Sequence, residues 1–203
     1  MQVEQSARRQ AMVVMIVATL CYSLMAYHSP FRSPAWSKVL ATLGVPLRHY
    51  AWLRSHTWDG VLFYLILPLL TVLALRQNPL KWGLGIGRWR WTVGLTAAGA
   101  AGAAILLLLA VRLPVFQKYY AVLGPQNGLW PWLGLFAIDL LVWEFFFRAF
   151  MLFGLEPALG ELAIYVQMIP FAIAHIGKPA IETYSSIVGG ILIILLGFGV
   201  LTW

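Results

Sequence analysis

The sequence predicts an all-α fold, a polytopic transmembrane helical bundle of about six spans that forms a single membrane domain over residues 1–203. Two observations support this prediction. Of the 203 residues, 61% are hydrophobic and only 10% are charged, which lies outside the usual composition of a water-soluble domain. The apolar residues form several continuous runs, and a helix needs about 20 mainly apolar residues to cross a bilayer.

The predicted spans follow these apolar runs in chain order. They lie at residues 11–27, 58–75, 92–111, 132–154, 158–176 and 183–203. Between the first two spans, we expect the basic, proline-containing stretch 28–54 to contain a short amphipathic helix in the membrane interface. Residues that break helices predict loops at 76–91 and 113–131 and a short turn at Glu156-Pro157.

The net charge of +7 is better explained by a membrane than by nucleic acid. The basic residues fall mostly in short connections between apolar segments, among them Arg76, Lys81, Arg88 and Arg90. Cations in such connections orient the helices and contact anionic headgroups. Ten tryptophans, many of them near the ends of spans, are typical of an interfacial aromatic belt. We therefore expect the lipid bilayer as a partner and no nucleic acid.

The fourth predicted span, 132–154, contains a glutamate and an arginine four residues apart, Glu144 and Arg148. A charge near the centre of a bilayer costs roughly 2.5–3.5 kcal/mol on insertion scales, so such residues pair, line a wet cavity or carry out a function. Residues at this spacing share one helix face, and a carboxylate on the N-terminal side is the better orientation for pairing. A structural ion pair and a catalytic carboxylate both fit these two residues.

His175, near the end of the fifth predicted span, adds an imidazole. Carboxylate plus imidazole is the minimum set for activating a water molecule by general base catalysis. Alternatively, Glu144 and His175 are two ligands of a zinc ion, which would need at least one further ligand. A histidine at a helix end is also a common interfacial side chain. These residues alone leave the cofactor unknown, with a divalent metal such as zinc as the candidate.

Two blocks in this region, Glu-x-x-x-Arg at residues 144–148 and Phe-x-x-x-His at residues 171–175, resemble the CPBP family of intramembrane proteases. This family includes the type II CAAX prenyl endopeptidases and the bacteriocin-processing and lysostaphin-resistance proteins of bacteria. Its pattern is Glu-Glu-x-x-x-Arg, then Phe-x-x-x-His, then a later span with His-x-x-x-Asn or a variant. The resemblance covers residues 132–203, and the first half of the chain matches only in being hydrophobic.

The resemblance implies an intramembrane endopeptidase that cleaves a peptide or protein substrate near the membrane. It also implies a multi-pass protein of the bacterial inner membrane. Glu144 would be the base or a metal ligand, with Arg148 as its partner, and His175 would position water or stabilise the oxyanion. Phe171 and Trp143 would line the substrate cavity.

The sequence departs from the family pattern at two points. Trp143 occupies the position of the first glutamate, the principal catalytic carboxylate of the family, so Glu144 would have to do this work unaided. No histidine or asparagine follows His175 to supply the third block, although Glu182 is a possible accessory residue. We therefore expect the sequence to end before the last motif-bearing helix.

These departures favour one alternative function, a non-catalytic membrane protein of the same fold, such as an immunity factor or scaffold. A small transporter or channel is disfavoured, because the first three predicted spans offer almost no intramembrane charges.

Overall fold

The computed structural model describes residues 2–27, 51–84, 89–120 and 129–188, together with Lys38 and Thr42. The described residues form helices, turns and short connections, with no strand among them, and this confirms the predicted all-α class. The predicted interfacial helix in 28–54 and the predicted sixth span lie mostly outside the described residues. The chain divides into two compact units, Met1–Leu84 with Pro125–Ala163, and Gly85–Gly124 with Ile164–Trp203.

Eight α-helices, two π-helical segments and one 3₁₀ turn have defined bounds within the described residues. In chain order they are α1 (Gln2–Tyr27), α2 (Ala51–Gly60), π1 (Val61–Ile66), α3 (Leu67–Ala74), the 3₁₀ turn (Pro79–Lys81), α4 (Trp89–Ala110), α5 (Pro114–Tyr120), α6 (Leu129–Glu144), π2 (Phe145–Met151), α7 (Leu152–Leu159) and α8 (Leu162–Ile173). Residues 180–188 are also helical.

The first unit is a bundle in which α1 packs against α7, α2 packs against α6, and the two π segments contact each other. Gly154 permits the close approach of α7 to α1, since a Cβ atom there would lie 2.6 Å from Cγ2 of Val14. The Gln10 side chain donates a hydrogen bond to the Gly154 carbonyl at 3.1 Å. A small residue and a polar side chain thus fix the contact between these two helices, which is a common device in membrane bundles.

Two helices of the described residues are long and apolar enough to cross a membrane, Glu4–Tyr27 and Ser55–Ala74. They coincide with the first two predicted spans. A third candidate arises if the bent pair Ala97–Ala110 and Pro114–Tyr120 is counted as one span, whereas Leu162–Ile173 is a shorter apolar helix. The predicted number of six spans is therefore not confirmed.

The second predicted span begins earlier than the sequence indicated, because α2 extends back to Ala51. The prediction started the span at Trp58, after a run of polar residues. Ser55 and Thr57 are buried nonetheless, and the Thr57 hydroxyl donates to the Leu135 carbonyl of α6 at 3.4 Å. These polar residues are helical because they face a neighbouring helix rather than water.

The predicted loop over 113–131 is wrong at residues 114–120, which form α5. Pro114 was interpreted as a breaker, but proline is well suited to the first position of a helix, where its missing N–H would have no intrahelical partner. Phe116 is buried, and its ring stacks on that of Tyr120 with the centroids 6.1 Å apart.

The predicted turn at Glu156-Pro157 is also wrong, because α7 continues through both residues to Leu159. The chain turns at Gly160, which has φ +55° and donates its N–H to the Glu156 carbonyl at 2.8 Å. A glycine adopts this backbone conformation without the steric cost of a Cβ atom, so it ends the helix more readily than the proline inside it.

Candidate functional site

The Glu144–Arg148 pair lies where α6 changes to π2. Glu144 is the last residue of α6, and Nη1 of Arg148 donates to Oε1 of Glu144. The Arg148 side chain is only 15% exposed, whereas the Glu144 side chain is 53% exposed. The guanidinium is thus held inside the first unit while its carboxylate partner stays accessible. Single-turn π segments within helices occur frequently at functional sites.

Aromatic packing holds π2 in place. The ring of Phe146 stacks on Tyr64 of π1 with the centroids 4.3 Å apart, and Phe147 meets the same tyrosine at 6.0 Å. Phe147 is completely buried. Trp143 lies next to this cluster, 5.6 Å from Tyr64 and 5.5 Å from Phe147 between ring centroids. Trp143 is therefore a packing residue of the first unit, and its expected role in a substrate cavity stays a prediction.

A second polar cluster joins α2 to α6. Nε2 of His56 lies 3.8 Å from Oδ1 of Asp139, with the two side chains 16% and 13% exposed. Asp59 is fully buried in the same helix as His56. Gly60 allows this approach, since a Cβ atom there would lie 3.0 Å from Cγ2 of Val142.

No pattern in the sequence connects His56 with Asp139, which are far apart along the chain. The available signal was that each is an ionisable residue within or beside an apolar segment. Asp139 faces α2, whereas the accessible Glu144 lies about 140° further around the helix, at 100° per residue. The two polar clusters of the first unit therefore occupy different faces of α6.

His175 follows α8 in the second unit, where Nδ1 lies 2.8 Å from the carbonyl oxygen of Phe171. A carbonyl oxygen can only accept, so Nδ1 carries the hydrogen, and in the neutral imidazole the lone pair is on Nε2. Phe171 is buried and its ring centroid lies 4.6 Å from that of His175. The Phe-x-x-x-His block thus fixes both the orientation and the tautomer of the imidazole through local contacts.

Glu182 binds two neighbours in the second unit. The Tyr120 hydroxyl donates to Oε2 at 2.5 Å, and the Lys178 ammonium donates to Oε1 at 2.8 Å. Next to it, the Thr183 hydroxyl donates to the His175 carbonyl at 2.8 Å. Both carboxylate oxygens of Glu182 are therefore used in holding the turn after His175, which favours an anchoring role over a reactive one.

The predicted site residues fall into two groups. Glu144, Arg148 and Trp143 lie together in the first unit, and Phe171, His175 and Glu182 lie together in the second. Within the part of the chain that the structure describes, no three His, Cys, Asp or Glu side chains are grouped as a metal ion would require. The zinc hypothesis thus has no donor set among these residues.

No family model matches this chain, and neither a curated protein nor a solved structure matches it.

Proposed function

We propose that the protein is an intramembrane endopeptidase similar to the CPBP family, which cleaves a peptide or protein substrate near the membrane. The observation that supports this most is the Glu144–Arg148 pair. Its carboxylate is half exposed, and its guanidinium is mostly buried at an α-to-π junction. A buried structural pair offsets its loss of hydration only when both partners are enclosed by further hydrogen bonds. Here the potential base remains accessible.

The proposed reaction adds water across a peptide bond. Glu144 takes a proton from the attacking water and returns it to the amine nitrogen as the peptide bond breaks. Arg148 donates a hydrogen bond to the carboxylate and limits its rotamers. The resemblance assigns water positioning or oxyanion stabilisation to His175, and the lone pair on Nε2 suits the first of these roles, because a nitrogen that carries the lone pair cannot donate. Phe171 contributes an apolar wall.

The test compares two glutamates of the first unit. Protein reconstituted in liposomes is incubated with a peptide library, and the cleavage sites are identified by mass spectrometry. Glu144→Gln should reduce cleavage by at least about 100-fold, the usual contribution of a general base. Glu161→Gln, at an exposed position outside both polar clusters, should leave cleavage unchanged. Wild-type protein that cleaves nothing, or a Glu144→Gln variant as active as wild type, would contradict the proposal.

The second candidate is a non-catalytic membrane protein of the same fold. Trp143 favours it, since this residue replaces the principal family carboxylate and packs among aromatic rings. The double variant Glu144→Leu with Arg148→Met separates the two candidates, because an apolar replacement of an ion pair is often neutral for folding. A catalytic role requires that this variant folds but does not cleave. A non-catalytic role requires that this variant folds and that cells expressing it keep the phenotype that the wild-type protein confers.

The proposal also covers the number of membrane spans and the membrane in which the protein resides. We propose six spans in one membrane domain and residence in the bacterial inner membrane. Cysteine-accessibility mapping of single cysteines, introduced into a Cys21→Ser protein on both sides of each span, would count the crossings. Fewer than six protected segments would contradict the number.

A further inference from the structure

The second membrane span ends in a cap with an unusual residue at its left-handed position. After α3, the Arg76 N–H donates to the Leu73 carbonyl at 2.9 Å and the Gln77 N–H donates to the Val72 carbonyl at 3.1 Å. This pair of hydrogen bonds is the Schellman motif, in which glycine usually occupies the position that Arg76 takes here. Arg76 has φ +56°, and it is the only non-glycine residue with positive φ in the described part of the chain. The backbone therefore tolerates a strained conformation in order to keep an arginine at this point.

The residues after Arg76 form a hydrogen-bonded turn. The Asn78 side chain accepts a hydrogen bond from the Leu80 N–H at 3.0 Å, and Pro79 begins the 3₁₀ turn. Trp82 is buried, with its ring centroid 5.9 Å from that of Phe150 in π2. Gly83 has φ +85°, and a Cβ atom there would lie 2.7 Å from Cβ of Ala149. The turn is thus fixed to the first unit at its far end, and its outward side chains are presented in a defined arrangement.

Those outward side chains are two cations and two leucines. Arg76 and Lys81 are exposed, and within the described residues neither forms an ion pair. Leu80 is 62% exposed and Leu84 is 43% exposed. Apolar side chains that project beside unpaired cations match the boundary between acyl chains and headgroups, where anionic lipids attract basic residues. A water-soluble anion would make no apolar contact with Leu80 and Leu84.

We propose that this capped turn, residues 75–84, binds the phosphate of an anionic phospholipid headgroup through Arg76 and Lys81, with Leu80 and Leu84 in contact with the acyl chains. Its position supports this, because Ser55–Ala74, which is long and apolar enough to cross a membrane, ends immediately before it. A helix that crosses the membrane ends near the headgroups. Arginine presents a planar fork of donors that matches phosphate oxygens, which a glycine at the same position could not supply. The strained backbone conformation of Arg76 is then retained because its side chain binds the phosphate.

The test measures thermal unfolding by circular dichroism in vesicles of phosphatidylcholine, with and without phosphatidylglycerol. Phosphatidylglycerol should raise the Tm of the wild type. Titration of the same lipid into micelles should show affinity about fivefold weaker in Arg76→Gln and in Lys81→Gln, the effect expected for one basic residue near a membrane surface. Arg8→Gln is the matched control, since Arg8 already pairs with Glu4 at 2.7 Å, and it should keep the full response.

Arg76→Gly separates a binding role from a structural one. Relief of strain should raise its Tm in pure phosphatidylcholine by about 2–4 °C, while the response to phosphatidylglycerol should fall as it does in Arg76→Gln. The proposal is overturned if the wild type does not respond to phosphatidylglycerol, or if the response survives in the double variant Arg76→Gln with Lys81→Gln. It is equally overturned if inorganic phosphate in micelles reproduces the response, or if Arg76→Gly is less stable than wild type.

Discussion

The two motif blocks are held in place by different means. The Glu-x-x-x-Arg block lies in a π segment whose phenylalanines are buried against Tyr64, a residue from a distant part of the chain. The Phe-x-x-x-His block is fixed by contacts within a few residues, the His175 Nδ1 hydrogen bond to Phe171 and the Thr183 hydrogen bond to the His175 carbonyl. Tertiary packing therefore positions Glu144, whereas mainly local structure positions His175.

This difference predicts different sensitivity to mutation. Changes in the aromatic core of the first unit should disturb the Glu144 block together with the whole bundle. Changes near His175 should act locally and cost less. Four substitutions, in order of decreasing effect on the free energy of unfolding in detergent micelles, test this contrast.

Phe147→Ala should have the largest effect. Phe147 is fully buried and contacts Tyr64, Trp143 and Phe146. Truncation leaves a cavity and should reduce the free energy of unfolding by about 3–5 kcal/mol, measured by circular dichroism during denaturant titration. Tyr184→Ala is the control, since Tyr184 is 68% exposed, and it should change stability by less than about 0.5 kcal/mol. Equal effects of the two variants on the free energy of unfolding would contradict the expected difference between the buried aromatic core and an exposed position.

Gly154→Ala should have the second-largest effect on the free energy of unfolding. The added methyl would lie 2.6 Å from Val14 and 2.9 Å from Trp82, so α1 and α7 would have to separate at a cost of about 1–3 kcal/mol. Gly134→Ala, with no atom within 4 Å of the added methyl, should instead stabilise its helix by about 0.5–1 kcal/mol. Opposite signs in thermal unfolding support the packing account, and a loss of stability in both variants would refute it.

Tyr120→Phe should have a smaller effect, confined to the second unit. It removes the hydroxyl that donates to Glu182 and should cost about 1 kcal/mol. Tyr119→Phe, at an exposed neighbouring position, serves as the control. Hydrogen exchange followed by mass spectrometry should show faster exchange in peptides that cover residues 174–188 and unchanged exchange in π2. Faster exchange throughout both units would show that the His175 segment is not held locally.

Glu144→Gln should have the smallest effect on stability. Because the carboxylate is half exposed, its ion pair with Arg148 should contribute less than about 1 kcal/mol. Thermal unfolding of this variant should therefore stay close to that of the wild type. A loss comparable to that of Phe147→Ala would mean that the pair is structural.

The all-α class and the first two helices that are long and apolar enough to cross a membrane could be predicted from the sequence, because they depend on composition and on the length of apolar runs. Pairing of Glu144 with Arg148 could also be predicted, since residues four apart meet on one helix face. Helix ends were predicted less well. Proline predicted a helix break at Pro114 and at Pro157. Pro114 is instead the first residue of α5, and α7 continues through Pro157.

The contacts between distant residues could not be predicted. The His56–Asp139 pair depends on how closely α2 approaches α6, which Gly60 controls. The two π-helical segments could not be predicted either, because Val61–Ile66 and Phe145–Met151 have ordinary apolar sequences. They become understandable only when Tyr64 and Phe146 are seen to stack on each other.

The proposal that both blocks serve one reaction is tested most directly by a double-mutant comparison of Glu144→Gln and His175→Ala. Cleavage of the peptide library is measured for each single variant and for the double variant. Residues that act as one catalytic unit show strongly non-additive losses. We expect both single variants to fall to a similar low rate and the double variant to be no slower. Losses that multiply, or a His175→Ala variant as active as wild type, would contradict the proposal that both blocks serve one reaction.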